Sequence, residues 1–488
     1  MSLHVDSVTG VDVALAVAGP GARAFAFVLD FLARTILAIA WYIVAAVLYN
    51  HHLSIVRPLE PDGVWFALVM GPALAIFLLY HLALEVLMSG RTPGKRLAAV
   101  RIVARDGTTA TIGALLVRNV FRVIDSLPVA YGVGLVTAMF TADHVRIGDL
   151  AAGTLLVYDH RDAHPPAQRH ARLPLWSAAV ERAHRLARGR ALDVADAHQM
   201  VDDYGLLAHD LARARRAAPD SAAHEYLEAA YARAHATLHR GAAHPGEALL
   251  SLFREQLPDV VRWLRPYIIW VTLLFALSVF AGGWMVHTYP ALIHLFASPE
   301  LIATVERGEL WTHSLLNVVP SSVLSLQILT NNIVVSIFAY CAGFLFGLGT
   351  FYIVGLNGLM LGAVFAFTAQ HGLEGELFGF IVAHGCVELS VLCLSGAAGA
   401  AVGEALIRPD TPRRADAFRE AALRSGKLLI ACALLLVGSG LIEGYVSPDP
   451  HFTLWMRISI GVGYWLCMVA LLRGWFFGGS RGAQPAGA

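Results

Sequence analysis

Long apolar stretches constrain the fold of this chain more than any other feature of its sequence. A helix that crosses a lipid bilayer needs about 20 mostly apolar residues, because the hydrocarbon core is about 30 Å thick. Eight stretches qualify, one of them only with its glycine-rich flanks: Phe25–Tyr49, Val64–Met88, Tyr267–Tyr289, Ile333–Val354, Leu359–His371, Leu377–Leu406, Leu428–Val446 and Leu454–Phe477. They predict an α-helical polytopic membrane protein of about eight full spans, located in the cell (inner) membrane.

The composition supports this class of protein. Hydrophobic residues make up 57% of the chain and charged residues only 15%, whereas soluble proteins average roughly 45–50% apolar and about 25% charged residues. The 36 basic and 36 acidic residues give a net charge of zero, so the overall charge does not favour a nucleic-acid partner. The partner that the composition predicts is the lipid bilayer.

A ninth apolar stretch, Val120–Thr141, is interrupted by Asp125, Pro128 and two glycines. Arginines flank it on both sides, and basic residues concentrate on the cytoplasmic side of membrane proteins. We therefore predict a broken or re-entrant hairpin that turns near "SLPVAYGVG" and whose irregular backbone is covered by protein. Whether residues 120–141 cross the membrane stays open.

Two parts of the chain are expected to face water. Residues 159–266 are rich in Ala, Arg, His and Asp with helical periodicity, which predicts a helical segment at about residues 170–258. Alternating residues in Val11–Val17, Leu97–Ile112 and Gly153–Asp159 predict a small β-sheet with an Asp-Gly turn. Basic segments such as "GRTPGKRLAAVR" and "FREQLPDVVRWLRP" place the sheet, the helical segment and the C-terminus in the cytoplasm.

Ionisable residues occur inside the C-terminal apolar stretches. His384 and Glu388 are four residues apart, so a helix would place them on one face, and Glu443 lies in the next stretch. An ionisable side chain at membrane depth costs on the order of 2.5–3.5 kcal/mol, so it normally faces protein or water. We expect a neutral His384 to donate a hydrogen bond to Glu388.

Two interpretations of these residues stay open, and both include the asparagines of the same region. The residues concerned are His384, Glu388, Glu443, Asn331, Asn332 and Asn357. They either form interhelical hydrogen bonds that fix the register of the bundle, or they form a polar, hydrated site that binds or relays a cation, a proton or a small solute. An intramembrane metallohydrolase is only a minor alternative. The stretch "HGCVE" does not match the zinc-binding motif H-E-x-x-H, and on a helix Cys386 would point away from His384. We therefore assign no catalytic residue, no metal ligand and no cofactor.

The first third of the chain has buried charges of its own. Asp30 begins an apolar stretch, Arg34 follows one helical turn later, and Arg23 precedes it on the same face. Pairing keeps a buried aspartate ionised, so we expect Arg23, Arg34 or Arg118 to be the partner of Asp30. Asp125 is expected to cap or line the predicted hairpin.

This third resembles the RDD family, which is named for one arginine and two aspartates. The resemblance rests on four blocks in order over about residues 5–160, namely "GARAFAFVLDF", "GRTPGKRLAAVRIV", "RNVFRVIDSLP" and "RIGDLAAGTLLV". It implies that Arg23, Asp30 and Asp125 are motif residues and that this part has three membrane spans. It also implies transport, with ion or proton exchange proposed for the family.

The second half resembles the stage II sporulation protein M family. The matching motifs are "TNN" at Thr330–Asn332, "GLNGLMLG" at Gly355–Gly362, "AHGCVEL" at Ala383–Leu389 and "GLIEGYVSP" at Gly440–Pro448, within a six-span domain at about residues 262–477. The family takes its name from an engulfment complex that recruits peptidoglycan hydrolases, and relatives often accompany a MoxR-type AAA ATPase. The resemblance implies an envelope protein or such an ATPase as a partner.

The sequence as a whole favours a transporter or channel component for a cation, a proton or a small solute, because costly polar groups accumulate on several spans. We do not expect an enzyme. The alternative function is a membrane scaffold that anchors or recruits a cell-envelope or AAA ATPase partner. The solute, the partner and the oligomeric state, including a homo-oligomer, stay open.

Overall fold

The structure is a computed structural model, and its two compact units divide the chain unevenly. It describes residues 2–5, 13–50, 63–125, 132–141, 143–158, 171–187, 194–219, 221–238, 250–310, 321–411 and 413–477. The first unit is formed by Met1–Ala38 and Ala75–Ala243, and the second by Ile39–Leu74 and His244–Ala488.

Helices dominate both units, and seven helices in the described ranges are long and apolar enough to cross a membrane. They cover Pro20–Asn50, Leu68–Leu87, Leu252–Thr288, Leu348–Gln370, Gly385–Ile407, Arg414–Tyr445 and Leu454–Leu472, and a shorter apolar helix covers Leu329–Phe344. Many large apolar side chains on these helices face outward, and Trp284 and Trp455 are 63% and 77% exposed. Apolar surface on this scale is unstable in water and stable in a bilayer. The prediction of a helical, multi-pass membrane protein is confirmed.

One predicted boundary between spans is wrong. The sequence predicted a division between the spans Ile333–Val354 and Leu359–His371, and the structure places this division earlier in the chain. The helices and the 3-10 turn between them are Ser321–Cys341, Ala342–Phe344 and Leu348–Gln370. The break lies at Phe346 and Gly347, where φ is 56° and 80°, a left-handed conformation that ends a helix and favours glycine. The glycines of "GLNGLMLG" lie inside the second helix and do not interrupt it.

The structure describes the interrupted stretch at residues 120–141 on both sides of residues 126–131. Around it, the described helices are Ile112–Val120, Arg122–Asp125 and Gly132–Phe140. The last two contact each other, and each is too short to cross about 30 Å of hydrocarbon. Most of the predicted turn "SLPVAYGVG" lies outside the described residues.

The first unit contains a small antiparallel sheet in two pairs of strands, which confirms the prediction of a small sheet. The strands are β1 (Ser2–Val5), β2 (Val13–Ala16), β3 (Val100–Ala104) and β4 (Thr154–Tyr158), and β1 pairs with β2 and β3 with β4. A bridge between Val17 and Val157 joins the two pairs. The Asp-Gly turn forms after β3 with Gly107 at φ 77°.

The chain after this turn does not continue as the strand that the alternation predicted. It makes one isolated bridge, between Val103 and Thr109. Thr111 then accepts a hydrogen bond from the backbone N–H of Ala114 and caps the helix Ile112–Val120. A threonine cap satisfies one of the free N–H groups at a helix start. The chain therefore begins a helix at the residues where the alternation predicted the end of a strand.

Three helices of the middle segment pack onto this sheet. They are Leu173–Ala187, Val194–Ala217 and Ala222–Leu238. The shared core includes Leu15, Val103, Leu155, Val157, Trp176, Met200, Tyr204, Leu207, Leu211 and Tyr231. The spacing of three or four residues between Met200, Tyr204, Leu207 and Leu211 is that of one helix face. The helical periodicity of the middle segment thus reflects a core shared with the strands.

Small residues bring the helices of the second unit close together. The helices Leu257–Thr288 and Leu348–Gln370 pack along much of their length. A Cβ atom on Gly362 would lie 1.9 Å from the carbonyl oxygen of Val279, so only glycine permits this approach. The helix Gly385–Ile407 contacts several neighbours, and its residues from Val391 to Gly403 are all buried. This helix therefore lies at the centre of the described part of the second unit.

Candidate functional site

Polar residues of the second unit meet at one end of this central helix. Gly385–Ile407 begins directly after His384, and Glu388 lies in its first turn. The helix Leu428–Tyr445 packs against it and carries Glu443 close to its own end. Because the start of one helix lies beside the end of the other, His384, Glu388 and Glu443 come together, and we call these three residues the polar cluster.

The polar cluster is compact and mostly buried. His384 and Glu443 are 4% and 6% exposed, and Glu388 is half-buried. The Nε2 atom of His384 lies 3.8 Å from Oε1 of Glu443. One nitrogen or oxygen atom from each of the three residues lies within 4.8 Å of those from the other two. In the part of the chain that is described, this is the one group of three or more such side chains spaced to hold a metal ion.

The hydrogen bonding of the polar cluster differs from the expectation. Nδ1 of His384 lies 3.0 Å from the hydroxyl oxygen of Ser447, so its partner is Ser447 and not Glu388. The reason is that His384 precedes the helix, with φ at −123°, and does not lie on its face. Oε2 of Glu443 has no hydrogen-bond partner among the described residues, which typically costs about 1–3 kcal/mol for a buried polar atom.

A cavity of about 260 Å³ lies beside the polar cluster. Its polar wall consists of Glu388, Asn332, Asn357 and Ser336, and the remaining wall is apolar. Glu388 therefore belongs both to the cluster and to the cavity, and it is within hydrogen-bonding reach of the Asn332 side chain. A water molecule occupies about 30 Å³ in the liquid, so the cavity has room for several waters or one small solute.

Asn331, Cys386 and His371 lie apart from this arrangement. Asn331 is exposed, since neighbouring residues on a helix point about 100° apart and Asn332 occupies the cavity side. Cys386 is also exposed. His371 lies at the end of another helix, with Nδ1 2.9 Å from the carbonyl oxygen of Phe367.

The first unit contains a second concentration of charge, a buried ionic network. Arg118 lies at its centre, with Nη1 2.8 Å from Oε1 of Glu85 and Nε 2.7 Å from Oδ1 of Asp149. Arg23 contacts the other oxygen of Asp149 at 2.7 Å, and Nζ of Lys95 lies 2.8 Å from Glu85. Each of these carboxylates is thus shared by at least two cations.

The charges of this network affect one another strongly. Burial alone would raise the pKa of Asp149, but Arg23, Arg118 and Arg146 together hold that pKa well below its ordinary value. Burial lowers the pKa of Lys95 to about 8, against the opposing effect of Glu85. Since breaking a buried ion pair is strongly destabilising, the arrangement is suited to holding the first unit together.

Asp30 lies in the same unit and is bound by uncharged donors. It accepts hydrogen bonds from the Tyr80 hydroxyl at 3.2 Å, from the backbone N–H of Gly94 at 2.9 Å and from the Thr92 hydroxyl. These donors take the place of the arginines that were expected. Arg34 lies instead over the aromatic rings of Phe31 and Phe77.

Asp125 is fully buried next to Arg146, whose Nε lies 3.8 Å from Oδ2 of Asp125. Neither of its carboxylate oxygens has a hydrogen-bond partner among the residues described. A Cβ atom on Gly148 would lie 3.0 Å from Oδ2, and one on Gly134 would lie 3.0 Å from the Asp125 Cβ. Asp125 therefore lies between the broken helices of the hairpin and the helix Ile147–Ala152, where it lines their contact.

The predicted site residues do not include the centre of the ionic network. The sequence drew attention to each of the residues at this centre, which are Glu85, Lys95, Arg118 and Asp149. Glu85 is an acid inside an apolar stretch, and the other three lie in the blocks shared with the RDD family. Their mutual pairing is not visible, because Arg118 reaches Glu85 and Asp149 across 33 and 31 positions of the sequence through tertiary contacts.

Comparisons with known families match three parts of the chain. Residues 17–153 match the RDD family, residues 271–448 match Stage II sporulation protein M, and residues 169–240 match a Domain of unknown function (DUF8413). No curated protein and no solved structure matches the chain. The chain is therefore a multi-pass membrane protein in which an RDD family domain precedes a stage II sporulation protein M domain.

Proposed function

We propose that this protein moves a small cation or a proton across the membrane, and that the polar cluster and the adjoining cavity of its stage II sporulation protein M domain form the transport site. The observation that supports this most directly is that Glu388 belongs to both. A half-buried carboxylate on a cavity wall attracts a cation and exchanges a proton with water in the cavity.

The second support is energetic. Ionisable side chains within membrane helices are rare, because each costs on the order of 2.5–3.5 kcal/mol at the helix centre, and they commonly mark ion pathways or proton relays. Here two acids from different helices lie close to one histidine. Two nearby carboxylates repel each other when both are ionised, so they favour a bound proton or a bound cation.

A scaffold remains the competing function, and the hydrogen bonding favours transport over it. Polar groups that only fix helix register are expected to satisfy one another in a closed network. Oε2 of Glu443 has no partner among the described residues, and Glu388 faces a cavity. Such an open arrangement is poorly suited to holding helices together and well suited to receiving an ion.

The test is a flux measurement on the full-length protein in liposomes, with pH-sensitive and cation-sensitive dyes inside. Glu388→Gln removes the charge while keeping the size, and Glu374→Gln changes an exposed acid outside the cavity wall. We expect flux for the wild type and for Glu374→Gln, and at least about a tenfold lower rate for Glu388→Gln, given that ionisable groups carry the pathway.

Two results contradict the proposal. If the wild type gives no flux of protons or cations under any imposed gradient, transport is excluded and the scaffold becomes the preferred function. If Glu388→Gln transports as fast as the wild type, the pathway does not include the polar cluster.

A further inference from the structure

We propose that His384, Glu388 and Glu443 bind a divalent transition-metal ion, with Ser447 as the residue that orients the histidine. As an identification of the transported cation, this inference rests on the proposed function. As an assignment of a metal site, it stands on the geometry of the three side chains alone.

The spacing of the three donor atoms is close to that of a coordination sphere. Metal–nitrogen and metal–oxygen bonds of about 2.0–2.2 Å in a tetrahedral site separate the ligand atoms by roughly 3.3–3.6 Å. Nε2 of His384 and Oε1 of Glu443 are already 3.8 Å apart, and no pair of donor atoms exceeds 4.8 Å. Side-chain movements of about 1 Å, within ordinary rotamer adjustment, complete the sphere.

An unsatisfied carboxylate oxygen of the cluster points independently to a ligand. Glu443 is 94% buried, the complement of its 6% exposure, and its Oε2 atom has no hydrogen-bond donor among the described residues. A second acid, Glu388, lies close by, with its carboxylate within 4.8 Å of that of Glu443. A divalent cation between the two carboxylates would supply the missing partner and remove their repulsion.

The histidine is held in the orientation that a metal ligand requires. A metal-binding histidine commonly donates a hydrogen bond from one ring nitrogen to a protein group, which leaves the lone pair of the other nitrogen for the metal. Nδ1 of His384 lies 3.0 Å from the Ser447 hydroxyl, while Nε2 faces Glu443. When Nδ1 carries the ring proton and donates to Ser447, the lone pair of Nε2 is directed into the cluster.

The site has an open side, as expected of a site that exchanges its ion. Three protein ligands leave at least one coordination position for water, and Glu388 borders the cavity of about 260 Å³ that contains Asn332 and Asn357. A second cavity of about 290 Å³ borders Ser447. The short helix Glu374–Ile381 contributes residues to the walls of both cavities.

The donor set selects a class of metal. One imidazole nitrogen and two carboxylates suit Zn²⁺, Mn²⁺, Fe²⁺ and Co²⁺. Ca²⁺ prefers six to eight oxygen ligands, and Mg²⁺ requires a nearly ideal octahedron of oxygens. We therefore expect transition metals to bind more tightly than either of these two ions.

The test uses the purified full-length protein in detergent, freed of metal by a chelator. Co²⁺ is added and its visible absorption is recorded, because the intensity of that band reports coordination by protein ligands, and Zn²⁺ is then used to displace it. The chain contains 21 histidines, and those outside the cluster can also bind Co²⁺. The wild type is therefore compared with variants of the cluster and not with buffer alone. Circular dichroism and size-exclusion chromatography establish that each variant is folded.

We expect about one Co²⁺ per chain in the wild type, displaced by Zn²⁺ and not by Mg²⁺ or Ca²⁺. Glu443→Gln and His384→Gln should lose this binding, and Ser447→Ala should weaken it by about 10–100-fold, the usual effect of removing a residue that orients a ligand. Glu374→Gln, an exposed acid outside the cluster, should bind as the wild type does. Equal Co²⁺ spectra for the wild type and a folded Glu443→Gln variant overturn the proposal.

The same variants separate this inference from the proposed function. Co²⁺ binding that depends on Glu443, without flux in liposomes, retains the metal site and overturns the transport function. Proton flux that depends on Glu388, without Co²⁺ or Zn²⁺ binding at the cluster, retains transport and overturns the metal site.

Discussion

Replacing Gly362 by alanine tests the closest helix contact of the second unit. The new Cβ atom would lie 1.9 Å from the carbonyl oxygen of Val279 and 2.8 Å from the backbone nitrogen of Gly283. Ordinary van der Waals contact begins at 3.4 Å, so the two helices must separate locally by about 1.5 Å, the difference between these distances. Both opposing atoms belong to the backbone, and no side-chain rotation relieves the clash.

Two opposing effects set the magnitude of the change. Alanine is favoured over glycine inside a helix by roughly 0.5–1 kcal/mol, because it loses less backbone entropy on folding. Overpacking in a tight core typically costs about 1–3 kcal/mol, and a displacement of the backbone places this clash at the upper end. We therefore expect Gly362→Ala to lower the free energy of unfolding by about 2 kcal/mol overall, the upper end of the overpacking cost less the gain in helix propensity.

The matched control is Gly355→Ala, on the same helix. The nearest atom across the interface, Oγ of Ser278, would lie 3.6 Å from the new Cβ atom, so only the gain in helix propensity remains. Thermal unfolding in detergent, followed by tryptophan fluorescence, should give a lower midpoint for Gly362→Ala and an unchanged or higher midpoint for Gly355→Ala. Equal midpoints for the two variants would refute the close approach of these helices.

Two further predictions concern the ionic network of the first unit. Arg118→Met should destabilise the protein by roughly 3–5 kcal/mol, because Glu85 and Asp149 stay buried without their shared partner. The control Arg96→Met changes an exposed arginine and should have little effect. Similar thermal midpoints for the two variants would contradict this prediction. The pKa of Lys95, about 8 in the folded protein, is below the roughly 10.4 of an unfolded chain. The unfolded state therefore binds more protons between about pH 8 and 10, so the stability contributed by Lys95 rises with pH in that range. The stability of the wild type relative to Lys95→Met, measured by denaturant titration, should increase from about pH 8 to 10, and a constant difference would contradict the depressed pKa.

The spans could be predicted from the sequence because length and hydropathy are local properties. Pro20–Asn50 and Leu454–Leu472, for example, lie within a few residues of the expected stretches. The break between the fourth and fifth predicted spans was misplaced because glycine has two uses in membrane helices. It separates two helices at Gly347, where φ is positive, and it permits close helix packing at Gly362. Sequence alone does not separate these uses, since both require the absence of a Cβ atom.

The meeting of polar residues was predictable in part. The spacing of His384 and Glu388 and the position of Glu443 in the next span indicated a shared site, and the three side chains do lie together. The role of Ser447 was not predictable: it lies in the matching motif "GLIEGYVSP", but the motif does not show which side chain this serine contacts. Its contact with His384 depends on where the two helices begin and end, and helix ends are the least certain part of any sequence interpretation.

The two groups of buried charges in this chain illustrate opposite ways of placing ions in an apolar interior. In the first unit, Glu85 and Asp149 are each shared by several cations at 2.7–3.3 Å. These cations balance the negative charge of the two carboxylates, and the ion pairs stabilise the fold. In the polar cluster, two acids face one histidine, and an oxygen of Glu443 has no donor among the described residues. An unsatisfied oxygen alone does not distinguish the two domains, because both carboxylate oxygens of the buried Asp125 also lack a hydrogen-bond donor among the described residues. What distinguishes Glu443 is its position beside a histidine and a second acid that borders a cavity, and this is the arrangement that we propose to receive a ligand.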